Sequence, residues 1–578
     1  MNKFDFHSDQ KWAESLTASI PFELKSPLYE SYSKISSRFE ANTFLRKSVE
    51  QIKKATNLKR LDAYLNWNED DLRRQAKISS EHCVKSVGKS FANFKHLSLL
   101  TAFPVNRLLS DAKAVNDFNK ITSEAYRVFL RLSGYLKSKG LDPIALDNPI
   151  RSGNPLGLKE NALRVASEQL TESCIKQVRR LLTTLFQWQD YCWWVRQLRK
   201  SLNRQIETAA HAANRVNLHK GVYASDISVN RRRGQIKRNQ RLLEQTLAVN
   251  ELGDSFTLAE LSNKNVSNPV NRRAELMVRI RGNEDFANQE GLKGVFMTIT
   301  CPSKYHRSLS VNGAPNPKWA GYTPKLGQDY LNNVWQLIRA AFQRANIQPL
   351  GVRVAEPQHD GTPHWHLLLF IDPSQLDEMV AICRFYAMRE DGDEAGANKY
   401  RFDAKPIDAK KGSATGYIAK YICKNIDGAN LESGIYGEDP IEAAHRVETW
   451  RSVWGIRQFE FIGGCSVTAW RELRRLPDKN DLPEEVESIR KAADDSNWSQ
   501  FNELMGGFFC KRKEQKLRPH YSVKFDSSTG EVKESKYGDS FIERLIGLKY
   551  KAQTIVTRLH EWRVEKIERG RAVPLGVL

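Results

Sequence analysis

The chain has 578 residues, 40% hydrophobic and 27% charged, which excludes wholesale disorder and suggests about three to five domains. Lys and Arg number 89 against 68 Asp and Glu, and the resulting net charge of +21 suits a polyanionic partner such as nucleic acid or an anionic membrane. No run approaches ~18 apolar residues, MNKFDFHSDQKW has no apolar signal core, and eight cysteines contain no CxxC pair, so a membrane span, a secretion signal, a disulfide scaffold and a zinc ribbon are not expected; a reducing cytoplasm is.

In chain order, residues 1–270 read as mainly helical. Val178–Val216 has apolar residues at helical spacing and neither Pro nor Gly. From Lys176 to Arg241 the basic residues, among them Arg196, Arg199, Arg231, Arg232 and Arg233, stand against Asp190, Glu207 and Asp226 only. Such one-sided charge assigns this region auxiliary DNA binding. The interleaved Trp193 and Trp194 suit a core better than a base-stacking platform, and Cys174 and Cys192 have no usable zinc spacing. Ser262–Asn271 is polar and turn-forming and reads as a linker.

The pattern then changes. Gly294–Thr300 (GVFMTIT) reads as a buried strand, Asp329–Asn346 as an amphipathic helix, and Gly351–Pro357 as a second strand. His364–Ile371 (HWHLLLFI) is apolar on both faces and so reads as a central strand. A helix over Pro373–Met388, a strand over Tyr400–Ile407, a helix after Gly412-Ser413 and a strand over Arg457–Gly464 complete one α+β domain spanning 285–475. Residues 476–578 read as mostly helical, at Pro483–Asp494 and Phe541–Glu568, with a short hairpin within His520–Ser535.

Two segments carry chemistry. In EPQHDGTPHWH (Glu356–His366), His364 and His366 lie two apart on a strand, so both imidazoles leave one face while Trp365 points into packing. If the flanking strands pair as a hairpin, Glu356 reaches the same ion, and two His with one carboxylate leave coordination positions open for catalysis. His359 in the same turn competes for the third position. In GYIAKYICKN (Gly416–Asn425), Tyr417 and Tyr421 lie roughly 40° apart on a helix, and Lys420 and Lys424 share their arc of roughly 100°. Ile418, Ala419, Ile422 and Cys423 fill the apolar remainder. A free phenol has a pKa of about 10, which a lysine and a divalent ion together bring within reach of phenolate chemistry. The two segments describe attack on a DNA phosphodiester, and two tyrosines on one face allow two successive transesterifications.

His364-Trp365-His366 resembles the HUH motif of HUH endonucleases, and Tyr417 with Tyr421 resembles their two-tyrosine form. EPQHDGTPHWHLLLF, GYIAKYICKN and WRSVWGIRQFEFIGGCSVTAWRELRRL are similar to the bacteriophage replication gene A protein family, initiators of rolling-circle replication. The likeness is strong over 290–475. It extends more loosely through WWVRQLRK, RRRGQIKRNQ, KAADDSNWSQFNELMGG and LIGLKYKAQTIVTRLHEW. The resemblance implies an antiparallel sheet flanked by helices and an origin-specific nickase leaving a 5′-phosphotyrosine and a 3′-hydroxyl primer. It implies Mg²⁺ or Mn²⁺ held by His364, His366 and Glu356, with Tyr417 and Tyr421 as nucleophiles and Thr298–Thr300 on the first motif strand in a structural role. Lys420 and Lys424 are candidates for proton transfer or phosphate contact. DNA, a host helicase and the replication machinery are the implied partners, in the cytoplasm of a bacterial host. The weighed alternatives are a transposase or plasmid mobilisation enzyme of the same chemistry, a non-catalytic DNA-binding protein with a structural metal, and a cupin-like oxygenase.

Overall fold

The computed structural model describes residues 6–56, 68–91, 112–139, 172–408, 410, 412–429, 432–434, 436–478, 482–525, 530, 532–533, 535–537, 542–568 and 571–574. The chain is α+β and divides into two units, Met1–Ile206 with Tyr521–Arg544, and Glu207–His520 with Leu545–Leu578.

The first unit is mainly helical, with Glu69–Phe91, Ala112–Ser138 and Glu172–Gln189 packed on one another. The helical stretch expected from Val178 is two helices, Glu172–Gln189 and Tyr191–Ala212, the second opening where the Asp190 carboxylate accepts the Cys192 amide at 2.9 Å. Trp188, Trp193 and Trp194 are buried, and the Trp194 indole N–H donates to the Trp188 carbonyl at 2.7 Å. These rings are core.

The second unit is built on a five-stranded sheet. Its strands are β1 (Lys293–Thr300), β2 (Leu350–Pro357), β3 (Pro363–Ile371), β4 (Phe402–Pro406) and β5 (Phe459–Ile462). Their order is β4-β1-β3-β2-β5, and every pairing is antiparallel. β3 is central, as its two-faced apolar character requires. Helices cover both faces: α2 (Pro269–Gln289), α3 (Pro324–Arg344), α4 (Leu376–Ala387), α5 (Ala414–Ile426) and α6 (Pro440–Trp454), with α1 (Asp226–Glu244) packed on α6. One face carries Trp365, Leu367 and Leu369 of β3 against α3, α4 and α6. The other carries Leu368 and Phe370 with Phe296 and Val354 against α2 and α5. A cupin packs two β-sheets face to face, and a five-stranded sheet covered by helices on both faces excludes that alternative.

Two expectations are corrected. Ser262–Asn271, read as a linker, is instead the tight turn that joins a helix, Leu258–Lys264, to α2, whose first residue is Pro269 behind an Asn268 N-cap. Phe541–Glu568 is not helical: Glu543–Tyr550 and Gln553–Val556 form an antiparallel hairpin, and Trp562–Glu568 pairs with Thr246–Asn250. The alternation of WRVEKIE is a strand period, and its partner strand lies some three hundred residues earlier, so tertiary pairing overrides the helical spacing. The hairpin expected within His520–Ser535 is represented by a bridge between Phe525 and Val532, and 526–529 lie outside the described residues.

Candidate active site

β2 and β3 meet through the turn Gln358–Thr362. The Asp360 carboxylate closes it by accepting the Thr362 amide at 3.0 Å, and Gly361 takes the left-handed φ of +80° that the reversal needs. This fixes the register: Glu356 lies opposite His364, and Val354 opposite His366. On the other side β1 places Thr300 opposite His364 and Thr298 opposite His366. The ligand atoms of Glu356, His364 and His366 all lie within 4.8 Å of one another, so the hairpin does bring the carboxylate to the two imidazoles. His359 lies elsewhere: its Nδ1 is 3.5 Å from the Ser308 hydroxyl.

The residues around this group hold it in place. Thr298 Oγ1 is hydrogen-bonded to His366 Nδ1 at 3.0 Å, and His366 Nε2 faces Glu356 Oε2 at 3.7 Å. The buried Glu356 carboxylate accepts from Lys424 Nζ at 3.3 Å and from the Asn425 side-chain amide, which is in turn held by Gln458 at 3.0 Å. Lys424 Nζ also lies 5.0 Å from the centre of the Tyr223 ring, a buried residue at the uncommon φ of +70°. Burial, then Lys424 and Lys420, depress the His366 pKa to about 3. Burial, then His366, hold His364 well below its ordinary value. Both rings are therefore neutral near pH 7, the form that binds metal. Two nitrogens and one oxygen suit a borderline or hard divalent cation and leave coordination positions open.

α5 crosses this face. Its first turn is held by the Ser413 N-cap, which accepts from the Gly416 amide at 3.0 Å, and by the buried Glu284 of α2, which accepts the Ala414 and Thr415 amides at 2.7 and 3.1 Å. Ile418, Ile422 and Ile426 point into the core, which turns Tyr417 and Tyr421 toward the histidines. The Tyr421 ring centre is 4.3 Å from that of His366 and 5.4 Å from that of Phe296. Tyr417 packs edge-on to Phe296 at 4.8 Å and is 41% exposed. Lys420 Nζ stands 5.4 and 5.0 Å from the Tyr417 and Tyr421 ring centres. Burial, then Glu356 and Tyr417, raise the Tyr421 pKa to about 12, so its phenol is protonated at rest.

Glu356, His364, His366, Tyr421 and Lys424 thus share one site, with Tyr417 and Lys420 at its wetter end. Sequence reasoning missed Asn425, Gln458, Tyr223 and Glu284. Only Asn425 carried a signal, one helical turn beyond Tyr421; the others act across 30 to 220 positions of chain. Two of the arginines assigned to DNA contact are paired: Arg232 holds Glu448 of α6 at 2.7 and 3.0 Å, and Arg233 holds Glu442.

The family model of the bacteriophage replication gene A protein (GPA) matches residues 167–429. The chain is 41% identical over 383 residues to a probable replication protein, P12, of Pseudoalteromonas phage PM2, covering 65% of this chain and 58% of that protein. It is 39% identical over 400 residues to the replication gene A protein of Escherichia phage 186, covering 67% and 56%. It is 35% identical over 374 residues to a probable replication endonuclease from a prophage-like region of Salmonella paratyphi A, covering 62% and 46%. The chain thus spans about half the length of the curated relatives it matches. No solved structure matches. No helix among the described residues is long and apolar enough to cross a membrane.

Proposed function

We propose that this chain, whose residues 167–429 match the family model of the bacteriophage replication gene A protein, is a member of that family and a metal-dependent, site-specific single-strand DNA endonuclease that initiates rolling-circle replication by tyrosine transesterification. The observation that carries the reading is the Tyr421 ring 4.3 Å from His366, directly beside a carboxylate and two imidazoles that gather within 4.8 Å.

His364, His366 and Glu356 would hold Mg²⁺ or Mn²⁺, which when bound polarises the scissile phosphate and stabilises the charge that develops on it. In this reading Tyr421 attacks phosphorus first. Its oxygen forms the new P–O bond as the bond to the 3′ oxygen breaks; the phenolic proton is lost and the departing oxygen gains one. The products are a 5′-phosphotyrosine and a 3′-hydroxyl primer. Lys420, over both rings, stabilises the phenolate and the adjacent phosphate. Lys424 is paired with Glu356 and acts as a positioning residue that fixes the carboxylate. Tyr417, one turn away, takes the second strand, so that a released 3′-hydroxyl can be rejoined. This chemistry belongs to an HUH domain over 285–475, while 1–270 adds DNA contacts and 476–578 contacts DNA or a partner. A host helicase and replication machinery in the bacterial cytoplasm would extend the primer.

Incubating the protein and Mn²⁺ with a labelled single-stranded oligonucleotide from the replication origin of its own genome tests the reading. A protein–DNA adduct that survives denaturing electrophoresis and vanishes with chelator or with His364→Ala/His366→Ala is expected. Cleavage indifferent to both would refute it.

A further inference from the structure

Beside the metal-ligand group, at the same end of the sheet, lies a cavity of about 240 Å³ that the mechanism above does not use. Thr300, opposite His364 in the β1–β3 register, forms one wall, and Gln358 and His359, just past Glu356, form another. Ser308, Asn316 and Tyr400 complete the lining that matters. We propose that this cavity receives one unpaired nucleobase of the strand next to the scissile phosphate and reads its hydrogen-bonding edge. The inference rests on the strand-nicking reading above.

The chemistry of the walls favours a base over a phosphate or a cation. The charges at the cavity are already neutralised. Arg401 is paired with Glu394 and donates to the Glu390 carbonyl at 2.7 Å. The Asp360 carboxylate accepts the Arg307 amide at 2.8 Å and faces His306 Nδ1 at 3.5 Å. A phosphate would find no cation to spare among these groups, and the carboxylate of the lining, Glu394, is already held by Arg401 and the Ser303 amide. What remains is neutral and able to hydrogen-bond. His359 is only 2% exposed, and its Nε2 has no hydrogen-bond partner among the described residues. A buried polar atom left in that state costs about 1–3 kcal/mol, which a bound donor or acceptor would offset. Burial also keeps the ring neutral, with one donor and one acceptor nitrogen. At the mouth the Tyr400 ring is 67% exposed, with Lys399 Nζ 5.1 Å from its centre, a surface on which a base can stack beside its phosphate.

The walls are built before any ligand arrives. Asn316 clamps the Ser303 and His306 carbonyls at 2.9 Å each, and the Arg307 guanidinium donates to the Ala212 carbonyl at 2.8 Å. A pocket of fixed polar groups discriminates strongly, because a mismatched base leaves those groups unpaired.

The test is a covalent selection. A single-stranded DNA library randomised around the origin nick sequence is incubated with protein and Mn²⁺, the adducts are isolated, and the captured DNA is sequenced. The wild type should select one base at a position within a few nucleotides of the nick. Gln358→Ala, Tyr400→Ala and His359→Ala should each flatten that preference at least about tenfold while preferences at other positions persist. Gln358 and Tyr400 are not core, so two of the three variants test the idea even if His359→Ala misfolds. Unchanged selection in Gln358→Ala and Tyr400→Ala overturns the pocket, as does a loss of adduct that falls equally on all sequences. A wild type that forms no adduct overturns the nicking reading, and the pocket with it.

Discussion

His366 meets Thr298 through Nδ1, and that bond decides which ring nitrogen faces Glu356. With Nδ1–H donating to the hydroxyl, Nε2 keeps its lone pair for a metal. Outer partners of this kind typically change metal affinity by about 10–100-fold. Thr298→Val keeps the shape of the side chain and removes the acceptor. It is expected to raise the Mn²⁺ concentration for half-maximal binding in calorimetric titration by about that factor, with the fold intact; unchanged affinity would remove Thr298 from the site. Proton linkage follows from the same burial. The folded pKa of His366 is about 3 against an ordinary 6.5, so between those values the unfolded chain binds more protons. The contribution to metal-free stability is complete above about pH 6.5. It is lost as pH falls toward 3, by at most about 1.4 kcal/mol per pH unit. In urea unfolding, His366→Gln is expected to flatten that dependence between about pH 4 and 6.5; an unchanged slope would contradict the burial argument.

At the scale of elements, the tyrosine helix depends on a carboxylate from another helix. Glu284 of α2 accepts two amides at the start of α5, where unpaired donors and the positive end of the helix dipole concentrate. Glu284→Ala should cost about 1–2 kcal/mol in thermal or urea unfolding and lower nicking, whereas Glu284→Gln, which keeps one of the two acceptor oxygens, should restore part of both. Equal nicking by Glu284→Ala and wild type would show that α5 does not need this anchor. The contrast between Glu284 and Tyr421 shows what the sequence discloses. A period of two placed His364 and His366 on one face of a strand, and a period near 3.6 placed Tyr417 and Tyr421 on one face of a helix. The α+β class followed from the same periods. Glu284, Tyr223 and Gln458 gave no such signal, because their roles exist only once distant elements dock. α2 and α6 went unrecognised, and Phe541–Glu568 was misread, for the same reason. The strand Trp562–Glu568 is completed by Thr246–Asn250, and no local pattern names that partner.

For the whole molecule, the net charge of +21 is unevenly available to a polyanion. Arg232 and Arg233 tie α1 to α6 through Glu448 and Glu442, so they serve the fold of the second unit. Lys237 and Arg241, further along α1, are exposed. Each phosphate contact released contributes about 0.7–0.9 to the slope of log affinity against log salt. Lys237→Ala/Arg241→Ala is therefore expected to reduce that slope by about one to two in DNA-binding titrations, and Arg232→Ala to lower thermal stability with the slope unchanged. The reverse pattern would mean that the paired arginines are the DNA contacts.

The central claim is that DNA becomes covalently attached to α5. Peptide mapping by mass spectrometry of the Mn²⁺-dependent adduct tests it most directly. The expected result is a nucleotide on Tyr421 in the first cleavage, on Tyr417 when a second strand is transferred, and on neither in Tyr417→Phe/Tyr421→Phe. A nucleotide on any residue outside this pair, or an adduct that persists in the double variant, would contradict the account.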